Sequence, residues 1–258
     1  MFQRTIKREI TFQSYGVYSQ KEVFIRCYPA EANTGIIINN QKLSIDKITC
    51  ENHTTVFNNN GNKIFLIEHF FAVLFLLGID NLIIEISGNE FPFFDGSGKE
   101  YYLKLKDLVV DFVSYKKEII EIKRNLIIFD DNNFILLLPN KKFSCLVITN
   151  FPDYFSWQSC KLDNNFLDII FSQTPIPKKI LKEEDIRFFK NLGYFSNQNW
   201  LLGKGKFVYH KMLDLLGNLK ILNKEIKAKI IAFRPSHKLN LQLVKKLEEL
   251  SKGGKNGY

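Results

Sequence analysis

Apolar and polar residues alternate through the first third of the chain, in Lys21-Glu-Val-Phe-Ile-Arg-Cys-Tyr28 and Gly35-Ile-Ile-Ile-Asn39, between glycine- and asparagine-rich turns. A period of two suits strands with one buried face, so strands and hairpins are predicted here. The period then changes. Nearly every residue from Lys63 to Leu77 is apolar, which predicts a buried helix stopping at Gly78, followed by a strand over Asn81–Ile86. The loop Phe91-Pro-Phe-Phe-Asp-Gly-Ser-Gly98 precedes a second predicted helix, about Lys99 to Phe112. The same order returns with a helix from Phe207 to near Gly217, a strand over Glu225–Phe233, a break at Arg-Pro-Ser and an amphipathic helix over about Lys238 to Leu250. Leu76-Leu-Gly-Ile-Asp-Asn-Leu82 and Leu215-Leu-Gly-Asn-Leu219 read as corresponding helix ends. One unit of helix, strand, loop and helix used twice implies an α+β fold of two related two-layer α/β domains, 1–117 and 118–258. Their apolar helices are expected to pack against each other.

With 258 residues, 45% of them hydrophobic and 24 of them Phe, the chain can bury a sizeable core. Its one long apolar run is shorter than a membrane span requires and carries two polar residues, and Met-Phe-Gln-Arg-Thr-Ile-Lys7 does not read as a signal peptide. A cytoplasmic location is expected. Cys27, Cys50, Cys145 and Cys160 are widely spaced and read as reduced thiols rather than a zinc-thiolate framework. The net charge of +9 raises a nucleic-acid reading, but Lys and Arg are scattered among Asp and Glu. No nucleic-acid partner is expected. The same excess suits an anionic small substrate or a transient contact with a membrane surface, and a monomer is expected.

Candidate chemistry begins at Glu68 and His69, adjacent polar residues inside Ile64-Phe-Leu-Ile-Glu-His-Phe-Phe-Ala-Val-Leu-Phe-Leu-Leu77. Burying a charge there is costly unless something compensates it, and a carboxylate beside an imidazole is a common way to hold a metal and a base together. A hydrogen-bonded buried pair is the alternative. In the second half, His210 and Asp214 stand at i and i+4 on one helix face, which is a metal-ligand spacing and equally that of a surface hydrogen bond. If the two apolar helices pack together, His69 meets His210 and Asp214, giving three ligands and an open position suited to one catalytic zinc per chain. His53 reads as a loop histidine, Asp95 as a turn residue, and the glycines near Lys204 lack phosphate-loop spacing.

Ile67-Glu-His-Phe-Phe-Ala-Val-Leu-Phe-Leu-Leu-Gly-Ile-Asp-Asn-Leu82, Gly88-Asn-Glu-Phe-Pro-Phe-Phe-Asp-Gly-Ser-Gly98, His210-Lys-Met-Leu-Asp-Leu-Leu-Gly-Asn-Leu219 and Ser236-His-Lys-Leu-Asn240 together resemble the UDP-3-O-acyl-N-acetylglucosamine deacetylases, zinc amidases of lipid A synthesis. Gln3-Arg-Thr-Ile-Lys7 and Asn33-Thr-Gly-Ile36 extend the similarity toward the N-terminus. The resemblance implies two α/β domains with zinc at their interface and an acylated UDP-sugar as substrate. It assigns zinc to His69, His210 and Asp214, and makes Glu68 the base that activates water. Lys211 would contact the polar part of the substrate, and His237 would be the cationic partner of the oxyanion or the leaving amine.

The sequence also departs from the family. The Ala-Arg-Thr-Phe segment, whose Thr helps bind the oxyanion, is matched only by Lys179 within Pro177-Lys-Lys-Ile-Leu181. Loss of such a donor typically costs ~100- to 1000-fold in turnover. Tyr18-Ser-Gln20 stands at the family's His-Ser/Thr-Gly motif, and Asn199-Trp-Leu-Leu-Gly-Lys-Gly-Lys206 reads as a short bridge after a deletion. Asn218 occupies the place of an Asp that orients the histidine matching His237. It reads either as a helix-end residue or as a weakened support for that histidine. The expectation is a zinc deacetylase of reduced or altered rate; the alternative is a zinc-binding homologue with little catalysis that binds a nucleotide sugar or protein.

Overall fold

The computed structural model describes residues 1–151, 155–163, 165–178, 181–196 and 199–253. Alternation near the N-terminus becomes strands Ile10–Tyr15 and Glu22–Pro29, which bury Phe12, Val23, Ile25 and Cys27 on one side. They belong to a first sheet ordered Ile10–Tyr15, Glu22–Pro29, Leu82–Ile86, Ile36–Ile38, Gln41–Lys42. Its central strand, Leu82–Ile86, runs antiparallel to Glu22–Pro29 and parallel to Ile36–Ile38. A second sheet is ordered Leu126–Asp130, Asn133–Pro139, Glu225–Phe233, Ser144–Phe151, Phe155–Lys161. Here the central strand Glu225–Phe233 runs antiparallel to Asn133–Pro139 and parallel to Ser144–Phe151. The two sheets share one topology, so the expected repeat is present in the fold.

The described helices are α1 (Glu68–Leu77), α2 (Lys99–Leu105), α3 (Phe166–Ile170), α4 (Glu183–Asn191), α5 (Phe207–Lys220) and α6 (His237–Gly253). In each half a central strand follows one apolar helix, α1 or α5, and precedes a second, more polar helix, α2 or α6. Helices α1 and α5 lie against each other, and their buried faces join one core: Phe70, Phe71 and Leu74 from α1 with Met212, Leu213 and Leu216 from α5. That contact sets the depth at which polar residues on either helix meet. No described helix is long and apolar enough to cross a membrane.

Several boundaries differ from the sequence expectation. Helix α1 begins at Glu68 rather than Lys63, because Asn62–Ile64 pairs as a strand and Leu66 turns the chain at a φ of 61°. Helix α2 ends at Leu105, and Val109–Lys116 forms a strand paired with Phe2–Ile6. Gly217 does not end its helix. It lies inside α5, which runs on to Lys220, whereas Gly78 caps α1 in the left-handed region at a φ of 69°. The segment after Asn199 is more than a bridge, since Trp200–Leu202 is the middle strand between Ile176–Pro177 and Phe195–Ser196. Lys179 lies outside the described residues.

Candidate metal centre

Glu68 and His69 open α1, so the carboxylate sits at the helix end where the backbone dipole favours negative charge. Both of its oxygens are held from the strand Thr54–Asn59. Thr54 Oγ1 donates to Oε1 at 2.5 Å, and the Thr55 N–H donates to Oε2 at 3.1 Å. Burial, followed by the nearby charge of Asp214, still pushes the Glu68 carboxyl up to about 8.

The helical repeat puts His210 and Asp214 on the face of α5 turned toward α1, and the two helices bring His69 to them. Asp214 Oδ1 lies 3.3 Å from His210 Nε2 and 3.8 Å from His69 Nε2. Its other oxygen accepts from Lys211 Nζ at 3.0 Å and stands 3.7 Å from His237 Nε2. His210 Nδ1 lies 3.4 Å from the Ser172 carbonyl, which can only accept. This makes Nδ1 the donor and leaves the lone pair of Nε2 directed at the centre. Burial lowers His69 to about 3 and His210 to about 4, so both rings are held neutral. Burial alone would raise Asp214, but His210, Lys211, His237 and His69 draw it well below the usual carboxylate range.

Two neutral imidazoles and one carboxylate are the donor set and protonation state that zinc takes. One ligand atom from each of the three residues fits within a mutual spacing of 4.8 Å, and all three residues are buried. Asp214 Oδ1 is buried and has no hydrogen-bond partner. An orphan carboxylate oxygen facing two imidazole lone pairs is repulsive by itself and is relieved by a shared cation. Ligands about 2.0 Å from a tetrahedral ion stand about 3.3 Å apart, which is the observed His210–Asp214 spacing. The residues fit the metal.

His237 opens α6, and burial lowers it to about 4. Its Nδ1 lies 3.1 Å from Thr55 Oγ1, which in turn accepts from Asn218 Nδ2 at 2.6 Å. Asn218 is fully buried in the last turn of α5, where its carbonyl accepts the N–H of the capping Ile221, and its side-chain amide reaches His237 through Thr55. Lys211 is partly exposed beside Asp214, 5.5 Å from the Phe207 ring centre. His53 is exposed in a turn, and Asp95 accepts from the N–H and Oγ of Ser97, as a turn residue does. The residues that sequence reasoning missed are Thr54 and Thr55. It also missed Glu90, a buried carboxylate that receives the Tyr18 and Ser19 N–H groups at 2.9 and 2.7 Å and so fixes the Tyr18–Gln20 loop.

Comparison with known proteins adds an independent line. A family model described as UDP-3-O-acyl N-acetylglycosamine deacetylase matches residues 3–174 and 190–249. The UDP-3-O-acyl-N-acetylglucosamine deacetylase of Shewanella denitrificans is 28% identical over 278 residues, covering 96% of this chain and 90% of its own. Its namesake from Shewanella oneidensis is 27% identical over 281 residues, with the same coverage of 96% and 90%. That of Syntrophus aciditrophicus is 26% identical over 278 residues, covering 96% and 86%.

Proposed function

The chain belongs to the UDP-3-O-acyl N-acetylglycosamine deacetylase family, and from that membership we propose that it hydrolyses the N-acetyl group of an acylated UDP-N-acetylglucosamine, releasing acetate, in lipid A biosynthesis. His69, His210 and Asp214 hold one zinc ion in this reading. The observation that carries it is the buried, unpartnered Asp214 Oδ1 between two imidazole nitrogens. When bound, zinc supplies Lewis acidity toward the amide carbonyl and toward water.

The remaining steps belong to side chains. Glu68 takes the proton of the attacking water, and the Thr54 hydroxyl and Thr55 amide keep both its oxygens in place while it does so. Bond cleavage needs a proton on the departing amine, and Glu68, raised to about 8, carries the proton taken from water and delivers it there. His237, held neutral by burial, turns Nε2 toward Asp214 as a partner for the oxyanion. Thr55 holds the opposite nitrogen, which fixes the ring plane. Lys211 anchors the outer oxygen of Asp214 and, being partly exposed, offers its remaining donors to polar groups of the substrate.

One observation favours a second reading, in which the chain binds metal and nucleotide sugar with little turnover. Asn218 Oδ1 is buried without a partner, and no carboxylate stands at that position to support a cationic His237. Acetate release from the acylated UDP-sugar, assayed after chelation and after zinc is returned, separates the two. Zinc-restored release supports hydrolysis. Full zinc loading without acetate supports the second reading, and no zinc binding at all would sink both.

A further inference from the structure

The two sheets of the repeat meet solvent differently. On the first, the face turned away from the helices carries Thr11, Gln13, Glu22, Arg26 and Glu85 interspersed with Tyr15, Phe24, Tyr28 and Ile83. Gln13 donates to Glu22 at 2.7 Å, and Tyr28 donates to Glu85 at 2.9 Å. Such a face is comfortable in water.

The corresponding face of the second sheet is apolar. Alternation along its strands buries Ile135, Leu137, Val147, Ile230 and Ala232 toward α5 and α6. It turns Phe134, Leu136, Ile148, Ile231 and Phe233 the other way, and none of these joins the buried core cluster. At one end a row of rings crosses the sheet: Phe129 to Phe134 at 6.4 Å, Phe134 to Phe233 at 5.6 Å, and Phe233 stacked on Trp157 at 5.8 Å. Phe129 is 60% exposed and Trp157 66% exposed. A contiguous apolar face of this kind marks a contact surface. The fold does not require so extended an apolar face, because the first sheet serves the same topology with charged and polar residues set among its aromatic ones.

Its charge indicates the occupant. Lys161, Lys227 and Lys229 project from the end opposite the aromatic row, and the exposed Lys141 and Lys142 lie on the adjoining loop. Arg234 lies over the Phe233 ring at 5.3 Å. Of the acids nearby, Asp163 pairs with Lys161, Glu225 pairs with the N-terminal ammonium, and the exposed Glu121 stands beside Lys227 on the neighbouring strand. Lys229, Lys141 and Lys142 therefore carry the excess positive charge. We propose that this face docks on an anionic lipid surface, with Trp157, Phe129 and Phe233 entering the headgroup boundary and the lysines pairing with lipid phosphates. Aromatic rings beside cations suit that boundary. A second copy is a poorer occupant, since it would set two chains of net charge +9 against each other. The inference is independent of the proposed hydrolysis, because the face lies across the second sheet from α5 and α6 and its occupancy is read without substrate.

The test is co-sedimentation of the purified chain with vesicles of phosphatidylglycerol mixed with phosphatidylethanolamine, against vesicles of phosphatidylcholine. Binding is expected to the anionic vesicles only, to weaken with salt, and to move Trp157 emission to shorter wavelength. The pair Phe129→Ser and Trp157→Gln should lower partitioning at least about tenfold by removing the inserted rings. Lys229→Gln should lower it about fivefold. These side chains are exposed, so an unchanged melting temperature confirms that the variants fold. Absence of binding to anionic vesicles at low salt, or equal binding by the paired variant, overturns the proposal. Sedimentation showing a dimer that the paired variant abolishes, with no vesicle binding, assigns the face to self-association and also overturns it.

Discussion

Glu68 is a carboxylate that its surroundings discourage from ionising, since burial and then the charge of Asp214 push it up to about 8. A base in that range is well matched to accepting a proton near neutral pH, and a cation at the adjacent ligands favours its ionised form further. Glu68→Gln keeps the shape but removes the basic oxygen. Acetate release is expected to fall about 100- to 10,000-fold while zinc per chain is unchanged; loss of zinc as well would make Glu68 a ligand instead. Thr55 supports a second prediction, because its hydroxyl joins Asn218 to His237 while its backbone N–H holds Glu68. Thr55→Val should lower turnover about 10- to 100-fold without altering zinc content, and Thr55→Ser should restore it. An equal loss in the serine variant would reduce Thr55 to a packing role. Glu68, His69, His210 and Asp214 could be picked out from sequence because charge within apolar helices has few explanations. Thr54 and Thr55 could not, since branched residues are common in strands for packing alone, and Thr55 meets His237 across 182 residues of chain.

Helices α1 and α5 position these groups by a close crossing at Gly217, where an added Cβ would collide with the backbone carbonyl of Glu68. A glycine in mid-helix is unfavourable by about 1 kcal/mol, so its presence here reflects the approach rather than helix propensity. Gly217→Ala is expected to destabilise the chain by about 1–3 kcal/mol and to weaken zinc binding by displacing Glu68 and His69 from α5. Denaturant melts combined with zinc titration read both effects, and unchanged zinc affinity in a destabilised variant would show that the crossing serves stability alone. Gly78→Ala should act only on stability, by about 1 kcal/mol, through its left-handed conformation. Sequence similarity between the two Leu-Leu-Gly segments suggested equivalent helix ends, yet the glycines serve opposite purposes. Local sequence does not reveal which glycine touches another helix. The start of α1 was equally hidden, because a continuous apolar run has the same appearance in a buried strand and a buried helix.

The halves are also joined away from the metal centre, at Asp80. Its Oδ2 lies 2.9 Å from Lys117 Nζ and accepts the Arg4 N–H at 3.0 Å, while Oδ1 faces the buried Lys220 Nζ at 3.4 Å. Two lysines converge on one carboxylate, so the partners are unequal. Asp80→Asn leaves two buried ammonium groups without an anion and is expected to destabilise by about 3–5 kcal/mol. Lys220→Met leaves Asp80 its closer partner, Lys117, and removes a charge that burial penalises; it is expected to be neutral or stabilising at pH 7. Burial draws Lys220 down to about 8 in the folded chain, whereas an unfolded lysine keeps its proton to about 10.4. Between these values the unfolded state binds more protons, so the Lys220 contribution to stability rises with pH. The advantage of Lys220→Met over the unaltered chain should therefore shrink as pH climbs from about 8 toward 10. Urea unfolding of both proteins across that interval measures it. A constant difference would mean that Lys220 keeps its charge throughout, and that Asp80 compensates its burial more fully than a shared carboxylate at 3.4 Å suggests.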